Sequence, residues 1–420
     1  MNMIQPKKKY IAEVDADGRL IIPKPVAESF HLRPGTQIVL EEGPYDVSFH
    51  RSVNQLNRIY VEPTNTCNLN CLTCVRNVWD ETPGTMSRET FNRILTGLRD
   101  FSPLPTIFIG GYGEPLGHPW LIEMIRELKT LGACVEMITN GVLLNEAIIS
   151  QLIQVGLDMI WVSVDGARPE SYTDIRLGAA LPEVIQNIVR LRDMRDHAEK
   201  EIPQIGVSFV AMKRNIADLP ELLGMYVIQG VDHFSISNLL AHTPELRGEI
   251  LYQHAMDNDS YQSVSKLPLV SLPRMDVSPE MTAVYGEAFR RGYRLNLAGH
   301  DVGQMLNVCP FVQKGSTAIR WDGAVSPCLP LMHTHDSYLD DRVRRSHAYI
   351  VGNINERNLM DLWNDADYAS LRERLSEFDF SPCSYCNSCE KADSNLEDCS
   401  GSDLPACGGC LWAQRLILCP

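Results

Sequence analysis

The sequence predicts an α/β protein in which a parallel sheet curls into a full or partial barrel, preceded by a small β-rich unit and followed by a cysteine-rich domain. Three observations carry this. Six apolar runs alternate with helix-like segments between about residues 58 and 300; a strand-and-turn pattern fills residues 10 to about 50; and seven of the thirteen cysteines crowd between Cys383 and Cys419. Strands that read as continuous apolar runs are covered on both faces, and helices between them make the crossovers of a parallel sheet. The expected units are residues 1–52, 53–300 and 301–420.

In the first unit, "YIAEVDADGRLIIPK" alternates apolar and polar residues about a turn at Asp17 and Gly18, and a strand pattern returns after the Pro34-Gly35 turn. Short hairpin-like strands around "KPVAESFHL" bury little alone, so this unit is expected to pair with a second copy or to dock on the main domain. In the second unit the strands are "RIYVEPT", "TIFIGGYGEP", "CVEMITNG", "MIWVSVDGA", "IGVSFVAMK" and "HFSISNLL". Helices lie between them, in "SRETFNRILTGLRD" behind the cap residue Ser87, and in "PWLIEMIRELKTLG" and "NEAIISQLIQVG", which close on Gly132 and Gly156. The stretch from about 242 to 290 is less regular and is expected to cap the barrel mouth. Beyond 300 strand content is expected to be low, with the helical "NLMDLWNDADYASLRERLSEF" leading into the cysteine-dense tail.

Sites in parallel sheets gather at the C-terminal strand edge, and Cys67, Cys71 and Cys74 lie just beyond the first strand. A closed zinc site takes four ligands and a disulfide framework an even count. A four-iron cluster can instead be held by three thiolates, which leaves one iron open to another molecule. Zinc with a distant fourth ligand is the alternative. Cys134 falls in an apolar strand and reads as a core cysteine.

The C-x3-C-x2-C spacing is the signature of the radical S-adenosylmethionine (radical SAM) family, which the chain resembles over about residues 58 to 300; Thr73 stands where that family usually has an aromatic residue. The resemblance implies a partial (β/α)6 barrel, a four-iron cluster, and S-adenosylmethionine chelated on its open iron and cleaved to a 5'-deoxyadenosyl radical. It makes Gly111, Gly113 and Glu114 of "GGYGEP" candidates for the methionyl amino group, and places Thr139 and Asn140 of "ITNG" at the next strand end. It sends Ser163 and Asp165 of "VSVDG" to the ribose hydroxyls and Arg176 to the methionine carboxylate.

The remaining cysteines, from Cys309 and Cys328 to "CSYCNSCEKADSNLEDCSGSDLPACGGCLWAQRLILC", resemble the SPASM-type extension of radical SAM peptide-modifying enzymes, which binds two auxiliary four-iron clusters. By order of appearance, Cys309, Cys328 and Cys410 belong to one cluster and Cys383, Cys386, Cys407 and Cys419 to the other. Cys389 or Cys399 supplies the missing ligand of the first, leaving the other free. Structural zinc ribbons and a single auxiliary cluster are the alternatives.

"GRLIIPK", a short helix and "LRPGTQIVL" resemble the AbrB/MazE-like swapped-hairpin family, over about forty residues. With "CNLNCLTCVRNVWDE" and the ending "PACGGCLWAQRLILCP", the whole chain resembles radical SAM maturases associated with tungsten-cofactor, aldehyde ferredoxin oxidoreductase-type enzymes. This implies a protein or peptide substrate, a reductant such as ferredoxin or flavodoxin, and a homodimer through the first unit. The competing readings are a ribosomal-peptide-modifying enzyme unrelated to tungsten and an iron-sulfur DNA-binding regulator. A net charge of -15 argues against a broad nucleic-acid surface, so DNA is not the expected partner. No apolar run approaches eighteen residues and no secretory signal pattern is present, so a cytoplasmic protein that does not cross a membrane is expected.

Overall fold

Turn chemistry starts the chain. β1 (Glu13–Val14) and β2 (Leu20–Ile21) pair antiparallel around Gly18, whose φ of +77° suits a residue without a Cβ. The Asp15 carboxylate accepts the Asp17 and Arg19 amides at 3.0 and 2.8 Å. A short helix, Lys24–Ser29, precedes a second antiparallel pair, β3 (Ile38–Glu42) and β4 (Val47–Arg51). The structure, a computed structural model, describes residues 10–29, 32, 38–42, 47–168, 175–219, 221–222, 224, 229–231, 233–252, 269–272, 294–297, 300–302, 309–339, 342–381, 383–385 and 389–419.

The six expected barrel strands form, and each pairs in parallel with the next. They are β5 (Arg58–Val61), β6 (Thr106–Ile109), β7 (Val135–Thr139), β8 (Met159–Ser163), β9 (Gln204–Ala211) and β10 (His233–Asn238). Strand alternation sends Ile59, Val61, Ile107, Ile109, Val135 and Met137 to one face, where they are at most 2% exposed against the crossover helices. Burying each such side chain contributes about 1.5–3 kcal/mol. The helices stop and start where capping chemistry requires. Ser87 Oγ accepts the Thr90 amide at 3.0 Å ahead of Arg88–Leu98, and Glu146–Val155 ends on Gly156 at φ +75°. Leu121–Thr130 and Leu181–His197 complete the layer. Tyr60 and Phe108 lie on the opposite face with Ile138 and Trp161, where Phe311, Leu331 and Met332 cover them.

The sheet does not close on itself. Among the described residues its order is β10-β9-β8-β7-β6-β5 followed by three later strands, so the barrel is partial. β14 (Ser316–Ile319) adds a seventh parallel strand in register with β5, from Ser316 opposite Arg58 to Ile319 opposite Val61. β15 (Ala324–Ser326) and β18 (Gly352–Asn353) continue it antiparallel. With the hairpin of β16 (His335–Leu339) and β17 (Arg342–Ser346), these strands correct the expectation of low strand content beyond 300. They are short, and their partners are distant in sequence, so local pattern does not announce them.

β11 (Leu269–Leu272), β12 (Arg294–Leu297) and β13 (His300–Val302) make a separate sheet in which Leu297 pairs with His300. The strand His300–Val302 therefore spans the expected boundary between residues 300 and 301. Most of the expected cap, 253–268 and 273–290, lies outside the described residues. Cys134 is also corrected. It immediately precedes β7 and is exposed, because the strand begins only at Val135.

The C-terminal helices Leu359–Trp363 and Ala366–Glu377 pin the start of the barrel. Arg372, 1% exposed, donates Nε to Val53 O at 3.0 Å and lies over the rings of Trp363 and Tyr368, while Trp363 Nε1 donates to Asn54 O. Among the described residues no helix is long and apolar enough to cross a membrane.

Candidate functional site

The loop after β5 carries Cys67, Cys71 and Cys74 and is held by its own polar groups. Arg76 donates to Asn65 O and Leu69 O, Asn77 Nδ2 to Cys71 O, and the Asn70 and Leu72 amides to Leu177 O and Ile175 O. The "GGYGEP" segment packs directly on this loop. A Cβ on Gly111 would stand 2.7 Å from Glu62 Cγ, and one on Gly113 would stand 2.1 Å from Thr64 O, so two chain segments touch where only hydrogen fits. Burial pushes the Cys67 and Cys71 thiols up, against the Leu69 amide at Cys67 and the Arg176 guanidinium at Cys71. Three thiols gathered on one loop, Cys71 buried and Cys67 and Cys74 half-buried, are the donor set that a cationic metal centre converts to thiolates.

Two candidate residues are buried and hydrogen-bonded to neighbouring strand ends. Glu114, 2% exposed, accepts Thr139 Oγ1 at 2.7 Å, the Asn140 amide at 2.8 Å and the Leu116 amide at 3.0 Å. Its carboxylate clasps the end of β7 and caps its own turn. Asp165, 0% exposed, accepts Arg176 Nε at 2.7 Å and the Val210 amide at 2.8 Å. It aims Arg176. Arg176 Nη1 then lies 3.9 Å from Cys71 Sγ.

Asn140 Nδ2 lies 3.7 Å from Cys67 Sγ and donates to Asn68 Oδ1 at 2.8 Å. Thr139 is occupied by Glu114. Ser163 pairs across the sheet with Ser208, and Ser208 with Ser235, which sets three half-buried serines side by side across β8, β9 and β10. Ser208 and Ser235 had no motif to mark them; strand register alone reveals them.

A second group escaped the sequence reading. Glu62, one residue beyond β5 and 0% exposed, accepts the Tyr112 amide at 3.1 Å and lies 3.0 Å from His333 Nε2. His333 Nδ1 lies 3.3 Å from Glu81 Oε1. Trp79 and Tyr112 pack on the imidazole at ring separations of 4.4 and 5.5 Å. This contact joins the triad loop, the barrel edge and the C-terminal domain.

The auxiliary cysteines regroup. Cys309, Cys328, Cys407 and Cys410 line one cavity of about 60 Å³. Burial pushes all four thiols up, Cys309 to about 12. Cys407 thus lines this cavity with the first set, while its turn also packs on the Cys383 loop, where a Cβ on Gly408 would stand 1.6 Å from Ser381 O; neither Cys389 nor Cys399 lines the cavity. Four thiols around one enclosed space fit a four-iron cluster with a complete ligand set. Cys399 Sγ instead approaches Ser381 Oγ at 3.0 Å, next to the Cys383 loop, whose Cys383 amide donates to Ser381 O at 2.7 Å. Cys386 lies outside the described residues. Cys419 packs with Tyr60, Phe108 and Trp412 on the inner face of the sheet. Among the described residues no three His, Cys, Asp or Glu side chains close on a single metal ion, a spacing that ligands of separate irons do not require.

An open parallel barrel with a three-cysteine loop at its C-terminal edge, followed by a domain whose cysteines enclose a cavity, defines a radical SAM enzyme with auxiliary iron-sulfur centres. Family comparison agrees: residues 61–203 match the radical SAM superfamily, and residues 309–390 match the SPASM iron-sulfur cluster-binding domain. The chain is 31% identical over 371 residues to the tungsten-containing aldehyde ferredoxin oxidoreductase cofactor-modifying protein of Pyrococcus furiosus, covering 86% of this chain and 96% of that one. It therefore belongs to the radical SAM superfamily, in the branch represented by that protein, and uses a four-iron cluster, S-adenosylmethionine and auxiliary iron-sulfur centres. It is also 29% identical over 192 residues to a probable GTP 3',8-cyclase of Sulfurisphaera tokodaii, covering 46% of this chain and 58% of that one. The fold is similar to the crystal structure of Streptococcus suis SuiB bound to S-adenosylmethionine, with a TM-score of 0.52 and 15% identity, over 80% of this chain and 71% of that one.

Proposed function

We propose that this radical SAM enzyme is a maturase that modifies a protein or peptide, and that its client is an aldehyde ferredoxin oxidoreductase-type tungsten enzyme or a peptide made with it. The observation that carries this is the similarity to the Pyrococcus furiosus protein over nearly the full length of both chains. When bound, the cluster and S-adenosylmethionine supply reductive cleavage and a 5'-deoxyadenosyl radical that removes a substrate hydrogen.

The chain's own residues bind and orient. Cys67, Cys71 and Cys74 hold the cluster; Gly111 and Gly113 let backbone approach the methionyl amino group; Arg176 faces the methionine carboxylate; and Ser163, with Ser208 and Ser235, offers hydroxyls to the ribose. Cys309, Cys328, Cys407 and Cys410 hold one auxiliary cluster, and Cys383, Cys386, Cys389 and Cys399 a second, which leaves Cys419 outside both. A ferredoxin or flavodoxin serves as reductant. The AbrB/MazE-like N-terminal unit joins two copies, and its exposed Ile11, Val14, Ile21 and Leu40 suit that contact.

The test is anaerobic reconstitution with iron and sulfide, then reduction with S-adenosylmethionine in the presence of the tungsten oxidoreductase or its co-produced peptide. The expected result is 5'-deoxyadenosine together with a mass change in the client. 5'-Deoxyadenosine without a mass change removes the client assignment, and a protein that yields none removes the radical chemistry.

A further inference from the structure

β17 carries three arginines with different partners. Arg342 is paired with Asp393, and Arg345 on the alternate face pairs with Asp336. Arg344, between them, has no carboxylate partner among the described residues. Its guanidinium donates instead to two carbonyls, Ala392 O and Ala406 O. Those carbonyls belong to different cysteine loops: Ala392 follows Cys389, and Ala406 precedes Cys407. The side chain lines the same cavity as Cys309, Cys328, Cys407 and Cys410. Its charge centre lies so close to the backbone between Cys407 and Cys410 that a Cβ on Gly409 would stand 2.4 Å from Arg344 Cζ. Glycine at 409 is what lets the cation reach this position.

A guanidinium keeps its proton in proteins. Partly buried and without a carboxylate among the described residues, it has Cys383, Cys410 and Cys407 as the groups that act on it electrostatically with favourable sign once they are thiolates, with Arg342 opposing them. One-electron reduction of a thiolate-ligated cluster adds negative charge without breaking a bond, so a fixed cation at its edge favours the reduced form.

We propose that Arg344 tunes the auxiliary centre of Cys309, Cys328, Cys407 and Cys410, holding its reduction potential up by placing an unneutralised positive charge between the two cysteine loops. This rests on the reading that those four thiols hold a cluster. Arg344 is a positioning and tuning residue and takes no part in bond-making.

The test is an anaerobic redox titration followed by electron paramagnetic resonance, on the reconstituted full chain carrying Cys67→Ala, Cys71→Ala and Cys74→Ala so that only auxiliary centres report. The signal that Cys309→Ala removes belongs to this cavity. Arg344→Gln is expected to shift its midpoint to more negative potential, Arg344→Lys to hold it near that of the parent, and Arg345→Gln, an equal charge change on the outer face, to leave it in place. An unmoved midpoint in Arg344→Gln, or an equal shift in Arg345→Gln, overturns the proposal. Should Arg344→Gln fail to load iron, Arg344→Lys decides: fully loaded with the parent's midpoint it supports the role of charge, and fully loaded with a lowered midpoint it overturns it. If Cys309→Ala removes neither iron nor signal, the cluster reading itself fails and takes this inference with it.

Discussion

Gly113 sets how closely the edge of β6 approaches the triad loop, and Gly113→Ala tests whether that closeness matters. The added Cβ would stand 2.1 Å from Thr64 O and 2.6 Å from Thr66 O, where ordinary contact begins at 3.4 Å. The shortfall at Thr64 is about 1.3 Å, and both obstacles are backbone, so a rotamer change cannot relieve it. Cys67 follows Thr66 directly, and Thr66 O already accepts the Glu114 amide at 2.8 Å. The loop can retreat only by breaking that bond and moving the first thiol. Overpacking costs about 1–3 kcal/mol where neighbours yield, and rigid neighbours put this site at the upper end. The assay is iron content and 5'-deoxyadenosine formation after anaerobic reconstitution. Gly113→Ala is expected to lose about four irons of roughly twelve, counting four per cluster, together with cleavage, while keeping auxiliary iron. Gly117→Ala, whose added methyl meets nothing within 4 Å, is the control. Full iron and full cleavage in Gly113→Ala would refute the claim that this glycine positions the triad.

Cysteine grouping predicts non-additive iron loss. Cys309→Ala and Cys407→Ala should each remove about four irons and together no more, whereas adding Cys383→Ala to Cys407→Ala should remove about four further; equal counts in the last pair would return Cys407 to the Cys383 group. Arg176→Met leaves Asp165 buried without its ion pair and should cost about 3–5 kcal/mol in chemical denaturation. Adding Asp165→Asn should recover part of that loss, and strictly additive losses would count against the pair. Burial lowers the His118 pKa from its ordinary 6.5, so the unfolded chain binds more protons there. The stability it contributes is fully present above about pH 6.5 and is lost as pH falls from there through the folded value, so His118→Gln should flatten the decline in Tm between about pH 7 and 5. An unchanged slope would assign that decline to other groups.

The barrel strands were legible because each announces itself locally, in an apolar run such as "TIFI" between a cap like Ser87 and a closing glycine like Gly156. β14 was not. "STAI" is four residues long, and what makes it a strand is β5, more than two hundred residues earlier. The same limit governs the site. Residue type and position placed Glu114 and Asp165 at strand ends, but their orientation depends on Thr139, Asn140, Arg176 and Val210, which periodicity does not bring together. Cysteine order along the chain is one-dimensional. It separated Cys407 from Cys410, yet one short turn, Cys407–Gly409, carries both toward the same cavity. Glu62 could be assigned to the inner face by its two-residue step from Tyr60, whereas nothing in sequence pairs it with His333.

The register of β14 on β5 bears on how the two cysteine centres work together. A domain attached by a flexible linker would let their separation vary, but here the ladder that ends at Val61 and Ile319 is extended by the Glu62 amide donating to Ile319 O at 2.9 Å. From that point one strand runs into the triad loop, and the other turns through β15 to Cys328. Neighbouring strands lie about 4.8 Å apart, so the turn after β14 leaves the sheet edge beside the triad loop, before antiparallel β15 carries the chain back toward Cys328. The Glu62–His333 contact then joins them beyond the ladder, and Arg372 and Trp363 fix the entry to β5 from the opposite side. Hinge motion between barrel and cysteine domain would have to break all three contacts. The triad loop is therefore held at a set distance from the Cys309–Cys410 cavity, the condition that the proposed tuning of the potential there requires.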